Sequence, residues 1–256
     1  MLAGFLISQV QFFLLIMMRL FGMIAVAPFF SSVLVPMRIK AILAFGISLV
    51  IYPILAHEAN IAIPENIVDY AILIINQLII GITIGLIIAI IFAAFQLAGQ
   101  FFSIQMGFGI SEVFDPLSQI HVPLVGQLFA LLGTLIFLMV QGHVVLIEGV
   151  YESFFKIPVL DIVKSSQPLS ETILAVFVDM FTIALKISIP IMGTLFIVTL
   201  SMGLLAKFAP QMNILMLGFP VYITIGFIML VLLMPSIIDN GQHVFNVYLT
   251  RLFELF

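Results

Sequence analysis

The sequence predicts an all-α membrane protein, on the evidence of its composition and of two long uncharged runs. Of 256 residues, 64% are hydrophobic and 8% are charged, whereas ordinary soluble domains carry about 25% charged residues. Residues 70–111 and 116–147 contain no Asp, Glu, Lys or Arg. Because about 20 apolar residues span a bilayer as a helix, these runs indicate integral membrane helices or helical hairpins assembled within a membrane complex.

The charge balance and the absence of reactive motifs narrow the function classes. The net charge is -4 without any cluster of Lys or Arg, and a nucleic-acid partner requires a basic surface. The chain has no Cys, its four His follow no ligand spacing, and it contains no nucleophile or phosphate-binding motif. We therefore expect no enzymatic activity, no metal site, no cofactor and no nucleic-acid partner.

Charged residues, prolines and glycines divide the chain into six apolar segments, which we predict to be helices. The first segment starts without a basic leader region, which favours a retained helix over a secretory leader. The stretch 148–171 is the one connection polar enough to be comfortably solvated. No linker or long repeat interrupts the sequence, so residues 1–256 are predicted to form a single domain. The segments are about 1–30, 41–56, 70–102, 124–147, 172–205 and 214–238.

The third segment is too long for a simple membrane crossing. As one helix, residues 70–102 would extend about 50 Å, against a hydrocarbon core of about 30 Å. This helix must tilt strongly, break or leave the lipid. The basic residues of the connections are also divided evenly between the two sides of a flat bundle, so the positive-inside rule gives no orientation. Both features favour hairpins that pack against other protein subunits.

Small residues recur at every fourth position of the third segment. Gly81, Gly85, Ala89 and Ala93 form a ridge on one helix face, and such ridges let helix backbones approach closely in membranes. The ridge predicts dense packing, either against another helix of this chain or against a different subunit.

The connection after the third segment is a candidate re-entrant or pore-blocking loop. It is too apolar for a free loop and too polar for lipid, and non-helical backbone at membrane depth requires burial in protein or a wet cavity. Glycines within it allow unusual backbone angles, and Asp-Pro favours a turn. A plain connection outside the membrane is the alternative. The candidate residues are Met106, Gly107, Phe108, Gly109, Ile110, Glu112, Val113, Phe114, Asp115 and Pro116.

Three charged residues fall inside apolar segments and are functional candidates for that reason. They are Arg19, Asp179 and Lys186. For Arg19, a snorkelling position at a membrane interface is favoured over a buried ion pair. Asp179 and Lys186 share a helix face about 10 Å apart, too far for a direct bond. The alternative for these two is that the fifth helix begins later than the apolar count indicates.

A series of short motifs runs through the chain in a specific order. By the order and spacing of these motifs, the sequence resembles the FliR family of flagellar export proteins. This family is related to a subunit of virulence type III secretion systems. The resemblance covers nearly the whole length. The motifs are Arg19-Leu20-Phe21-Gly22, Ala27-Pro28-Phe29-Phe30-Ser31-Ser32, Val35-Pro36 with Arg38, Gln105-Met106-Gly107 with Asp115-Pro116 and Ser118, Gly142-His143, Ser153-Phe154, Ile157-Pro158, Ala209-Pro210-Gln211-Met212-Asn213 and Gly218-Phe219-Pro220.

The resemblance implies a subunit of an export gate in the bacterial inner membrane, at the flagellar basal body. The implied partners are FliP and FliQ, with which the subunit would form a funnel-like channel, together with FlhA and FlhB homologues, membrane lipid and unfolded flagellar proteins in transit. It also implies a non-conventional helix topology and a pore plug at Met106–Val122.

Two other functions are compatible with the same residues. Pro190 and Pro220 in apolar segments, with the charges of Asp179 and Lys186, are also typical of a secondary transporter for a small solute. An assembly scaffold without contact to a pore would leave the loop outside the channel.

Overall fold

Seven helices make up the described part of the chain. The computed structural model describes residues 2–30, 35–58, 64, 66–108, 124–156, 162–211 and 213–255. No strand occurs among these residues, so the prediction of an all-α protein is confirmed. The helices are α1 (Leu2–Val26), α2 (Met37–Glu58), α3 (Ile67–Gln105), α4 (Leu124–Met139), α5 (Gly142–Lys156), α6 (Ile162–Phe208) and α7 (Ile214–Leu255).

The fourth predicted segment is a bent pair of helices, because α4 and α5 meet at 66° around a short break. Gln141 in this break has a φ of 54°, a left-handed conformation that a helix interior does not accept. The solvated connection predicted for 148–171 is wrong at both ends, since α5 continues to Lys156 and α6 begins at Ile162. The last helix is also longer than predicted and ends at Leu255.

Helix α3 is continuous over its 39 residues, which corresponds to about 58 Å. It begins after Asn66, whose side-chain Oδ1 accepts a hydrogen bond from the Val68 amide at 3.2 Å, as an N-cap residue does. Asp69 adds a negative charge to the first turn, where the helix dipole favours it. Of the three possibilities for this overlong helix, a break is therefore wrong. A strong tilt and a position outside the lipid are the two that remain.

Contacts between Cα atoms divide the chain into two compact units. Unit 1 contains Met1–Ile90, Val140–Val176 and Phe245–Phe256. Unit 2 contains Ile91–Met139 and Phe177–Val244. The expectation of a single domain over residues 1–256 stays a prediction.

In unit 1, α1 packs on both α2 and the first half of α3. Phe13 contacts Phe45 and Tyr52 edge-on, with ring centroids 5.3 and 5.9 Å apart. The Tyr52 hydroxyl also donates to Gln9 Oε1, whereas Phe21 at the other end of α1 lies beside Ala41, so α1 and α2 run antiparallel. Glycines permit the approach to α3: a Cβ atom added to Gly81 would lie 1.9 Å from the Arg19 carbonyl oxygen, and one added to Gly22 would lie 2.5 Å from the Leu78 carbonyl oxygen. The backbones of α1 and α3 are thus in direct contact.

In unit 2, the second half of α3 and α4 form an antiparallel hairpin. A Cβ atom added to Gly99 would lie 2.8 Å from the Val125 carbonyl oxygen. Two ring pairs also join the helices: Phe92 with Phe137 at 5.3 Å and Phe102 with Phe129 at 5.2 Å between centroids. The hairpin brings together the two ends of the connection that was singled out as a candidate loop.

Helices α6 and α7 present mainly apolar side chains at their surface. In the most apolar window of each, 17% of residues are buried, against 61% for α3. Their hydroxyl groups donate within the same helix: Thr194 to the Pro190 carbonyl, Thr199 to the Leu195 carbonyl and Thr224 to the Pro220 carbonyl. Such bonds satisfy polar groups where no water is present. The surface of α6 and α7 is therefore suited to lipid or to apolar protein.

Five of the described helices are long and apolar enough to cross a membrane, or six crossings result if the bent pair α4 and α5 counts as one. This agrees with the prediction of about six apolar segments, some of them broken.

Candidate functional site

The predicted plug begins at the capped C-terminal end of α3. Gly107 has a φ of 91°, its amide donates to the Ile104 carbonyl at 3.1 Å, and the Phe108 amide donates to the Ser103 carbonyl at 3.2 Å. These two bonds and the left-handed glycine form a Schellman motif, which ends a helix and turns the chain away from its axis. Residues 109–123, which hold Gly109, Ile110, Glu112, Val113, Phe114, Asp115 and Pro116, lie outside the described residues.

The first three residues of the predicted plug pack on the N-terminal half of α7, within unit 2. Met106 is fully buried and lies against Gly226, where an added Cβ atom would come within 2.7 Å of the Met106 sulfur. A Cβ atom on Gly107 would lie 2.6 Å from the Phe219 ring. The Phe108 ring meets the Phe227 ring edge-on at 6.4 Å. The departure point of the predicted plug is thus fixed by α7.

Gly107→Ala is expected to displace the start of the predicted plug. The new methyl group would collide with Phe219, and the left-handed φ disfavours any side chain by about 1–2 kcal/mol. If this segment plugs a pore, as the family resemblance implies, ion leakage in cells that express the variant should rise. Gly203→Ala is the matched control, since a Cβ atom there meets nothing within 4 Å. Equal leakage from both variants would contradict the role of the Gly107–Phe219 contact.

A buried polar cluster in unit 1 centres on Arg19. Its side chain has no exposed surface, its Nε donates to Gln77 Oε1 at 2.7 Å, and its Nη1 donates to Ser153 Oγ at 2.7 Å. The guanidinium lies over the Phe154 ring, 3.8 Å from the centroid, a cation–π geometry. The snorkelling position expected for Arg19 is wrong, because close α1–α3 packing encloses the side chain and polar partners from α3 and α5 bind it.

The Arg19 cluster is not fully satisfied. Arg19 Nη2 and Gln77 Nε2 are buried without a hydrogen-bond partner. Ser153 Oγ itself donates to the Val150 carbonyl at 2.6 Å, so the hydroxyl serves as acceptor for Arg19 and donor to its own helix. One arginine therefore links α1, α3 and α5 through neutral partners.

The first two residues of the small-residue ridge of α3 pack against α1. An added Cβ atom on Gly81 or Gly85 would come within 2.9 Å of backbone atoms of α1, so these two positions make the contact within the chain. Ala89 and Ala93, one and two turns further on, are half-buried.

Asp179 and Lys186 do not meet at a common site. Both lie in α6, which begins at Ile162, so the alternative of a later helix start is wrong. Asp179 is half-buried and Lys186 is exposed. Pro190 and Pro220 lie inside α6 and α7, and neither helix is broken at its proline, contrary to what the transporter hypothesis expects.

Sequence reasoning missed most partners of these residues. Gln77 is one amide within a long apolar run, and Phe227 carries no sequence signal at all. Ser153-Phe154 and Gly218-Phe219-Pro220 belong to the motifs of the family resemblance, and this was the available signal for two of the contacts.

Taken together, the helices define an all-helical membrane protein with a buried, neutral-partnered arginine. The profile of the family described as "Bacterial export proteins, family 1" matches residues 10–247. The chain belongs to this family, and the predicted FliR resemblance is confirmed.

Several curated relatives carry the name "Flagellar biosynthetic protein FliR". The one from Bacillus subtilis is 32% identical over 91% of this chain and 90% of its own length. The one from Escherichia coli is 30% identical over 90% of this chain and 87% of its own length. The one from Aquifex aeolicus is 31% identical over 93% of this chain and 90% of its own length.

Proposed function

We propose that this chain is a non-enzymatic subunit of the flagellar type III export gate, where it forms a channel with FliP and FliQ homologues in the inner membrane at the flagellar basal body. Unfolded flagellar proteins would pass through the channel, and FlhA and FlhB homologues would act beside it. The observation that carries the proposal is the family match over residues 10–247 together with relatives named flagellar biosynthetic proteins. The apolar surfaces of α6 and α7 are compatible with assembly in a membrane.

In this proposal, residues 106–122 act as the plug of the channel. Their support is the capped end of α3 and the contacts of Met106, Gly107 and Phe108 with α7. Apolar side chains in such a segment block hydrated ions by dewetting, and Glu112 and Asp115 need the water or polar partner that a pore offers. Gating is then passive, and a partner-driven opening admits the extended substrate.

Shortening the plug tests the mechanism. Deletion of residues 110–117 is expected to leave α3 and α4 in place, because their hairpin is held at Gly99 and by the two Phe pairs. The assembled complex should then conduct ions in cells that express the variant with its FliP and FliQ partners. The measurement is ion conductance or leakage of a small solute.

The control is an equal amount of wild-type complex, verified by blue-native electrophoresis. An assembled deletion variant that stays as tight as the wild type would return the segment to a connecting loop. Purification separates the transporter alternative: co-isolation with FliP and FliQ supports the export gate, whereas a monomer that binds a small solute supports the transporter.

A further inference from the structure

The first two helices hold Arg19, Arg38 and Lys40 but only one carboxylate, at the last residue of α2. No Asp or Glu occurs before Glu58, which is the last residue of α2. Arg38 and Lys40 lie in the first turn of α2, where the helix dipole adds to the positive potential. Glu58 is about 30 Å away at the other end of this helix. The positive charge at the N-terminal end of α2 is therefore not balanced within the first two helices, and an anion from elsewhere would be bound favourably there.

An apolar cleft lies beside this end, between α1 and α2. Its volume is about 280 Å³. The contact between Phe13 and Phe45, with centroids 5.3 Å apart, bounds the cleft on the side away from the start of α2. The lining residues are Met17, Phe21, Ala41, Ile42, Ala44 and Phe45. None of them has a polar side chain, so the cleft accepts a hydrocarbon group.

The basic residues and the cleft share the same faces of α2. Arg38 precedes Ala41 and Ile42 by three and four residues, a spacing that places side chains on one helix face. Lys40 precedes Ala44 by one turn in the same way and is 7% exposed. The two cations thus stand at the end of the cleft that lies opposite Phe45.

We propose that this cleft binds one anionic phospholipid, with an acyl chain against Met17 and Phe21 and the phosphate near Arg38 and Lys40. Basic residues at helix ends attract anionic headgroups, and their long stems let the charge reach the interface. Lipid also suits the rest of α2: Ile42 and Phe45 are 69% and 49% exposed, and 28% of its most apolar window is buried.

The headgroup contact is tested with the purified full chain in mixed micelles of phosphatidylglycerol and phosphatidylcholine. Arg38→Gln/Lys40→Gln should lower retention of phosphatidylglycerol, counted by native mass spectrometry, by about fivefold for each cation removed. Retention of phosphatidylcholine should not change. Lys207→Gln is the matched control, since Lys207 is an exposed cation in the last turn of α6.

The cleft itself is tested separately. Ala41→Phe fills it from its exposed side and should lower retention of both lipids, whereas Val50→Phe, at an exposed position of α2 that does not line the cleft, should not.

Unchanged phosphatidylglycerol retention in the double variant Arg38→Gln/Lys40→Gln overturns the proposal and points to an acidic protein partner for the two cations. An equal loss in Lys207→Gln also overturns it. If the double variant fails to fold, Arg38→Gln alone decides, because Arg38 is exposed.

Discussion

Gly81→Ala is expected to destabilise the protein strongly, although it adds only one methyl group. The new Cβ atom would lie 1.9 Å from the Arg19 carbonyl oxygen and 3.0 Å from the Met23 amide nitrogen. These are backbone atoms of α1, so no side-chain rotation relieves the overlap, and α1 must move away from α3. Overpacking of this kind costs about 3 kcal/mol. The measurement is the Tm of the purified protein in detergent.

Gly46→Ala is the matched control for this change and should have the opposite sign. Gly46 lies in α2, and a Cβ atom there meets nothing within 4 Å. Ala is favoured over Gly inside a helix by about 1 kcal/mol, so the Tm should stay constant or rise. A Gly81→Ala variant as stable as Gly46→Ala would contradict the close approach of α1 and α3.

Arg19→Ala is expected to lower stability by about 3 kcal/mol, because it leaves a cavity in the core of unit 1. The substitution also removes the donor that Gln77 Oε1 binds and the cation over Phe154. Arg19→Lys should not rescue, since one ammonium group cannot reproduce the geometry of the guanidinium toward Gln77 and Ser153. Tm in detergent again gives the comparison.

The double variant Arg19→Met/Gln77→Leu separates packing from polarity. It fills the space with apolar side chains and removes both unpartnered donors, Arg19 Nη2 and Gln77 Nε2. Buried charged groups replaced by apolar groups of similar volume often leave stability unchanged or increased. The double variant should therefore be more stable than Arg19→Ala. A double variant that is less stable would mean that the polar bonds outweigh the cost of burying them.

Helix α3 could be predicted from the sequence because its signals are local. The uncharged run defines its body, Asn66 and Asp69 its start, and Gly107 its end. The second half of α5 could not be predicted in the same way, because Glu148 ends the fourth apolar segment when charged residues, prolines and glycines divide the chain. Its buried residues Leu146, Gly149, Val150, Ser153 and Phe154 have the spacing of an amphipathic helix, which tolerates Glu148 and Glu152 on the other face.

The Arg19 cluster could not be predicted from local sequence. Its partners lie 58 and 134 positions away along the chain, and nothing near Arg19 indicates which helices will enclose it. The same limit applied to the contacts of Gly107 with α7, since a glycine signals an unusual φ but not the ring that will lie beside it.

The hydroxyl groups of α6 and α7 have a consequence for motion. A Thr side chain that donates to a carbonyl of its own helix, as at Thr194 and Thr224, needs no hydrogen-bond partner on a neighbouring helix. A neighbour can therefore rotate or slide along this surface without breaking a hydrogen bond between helices. The two longest helices of the chain thus present a contact surface that tolerates changes in register. Adjacent helices can shift along it without exposing unpaired polar groups.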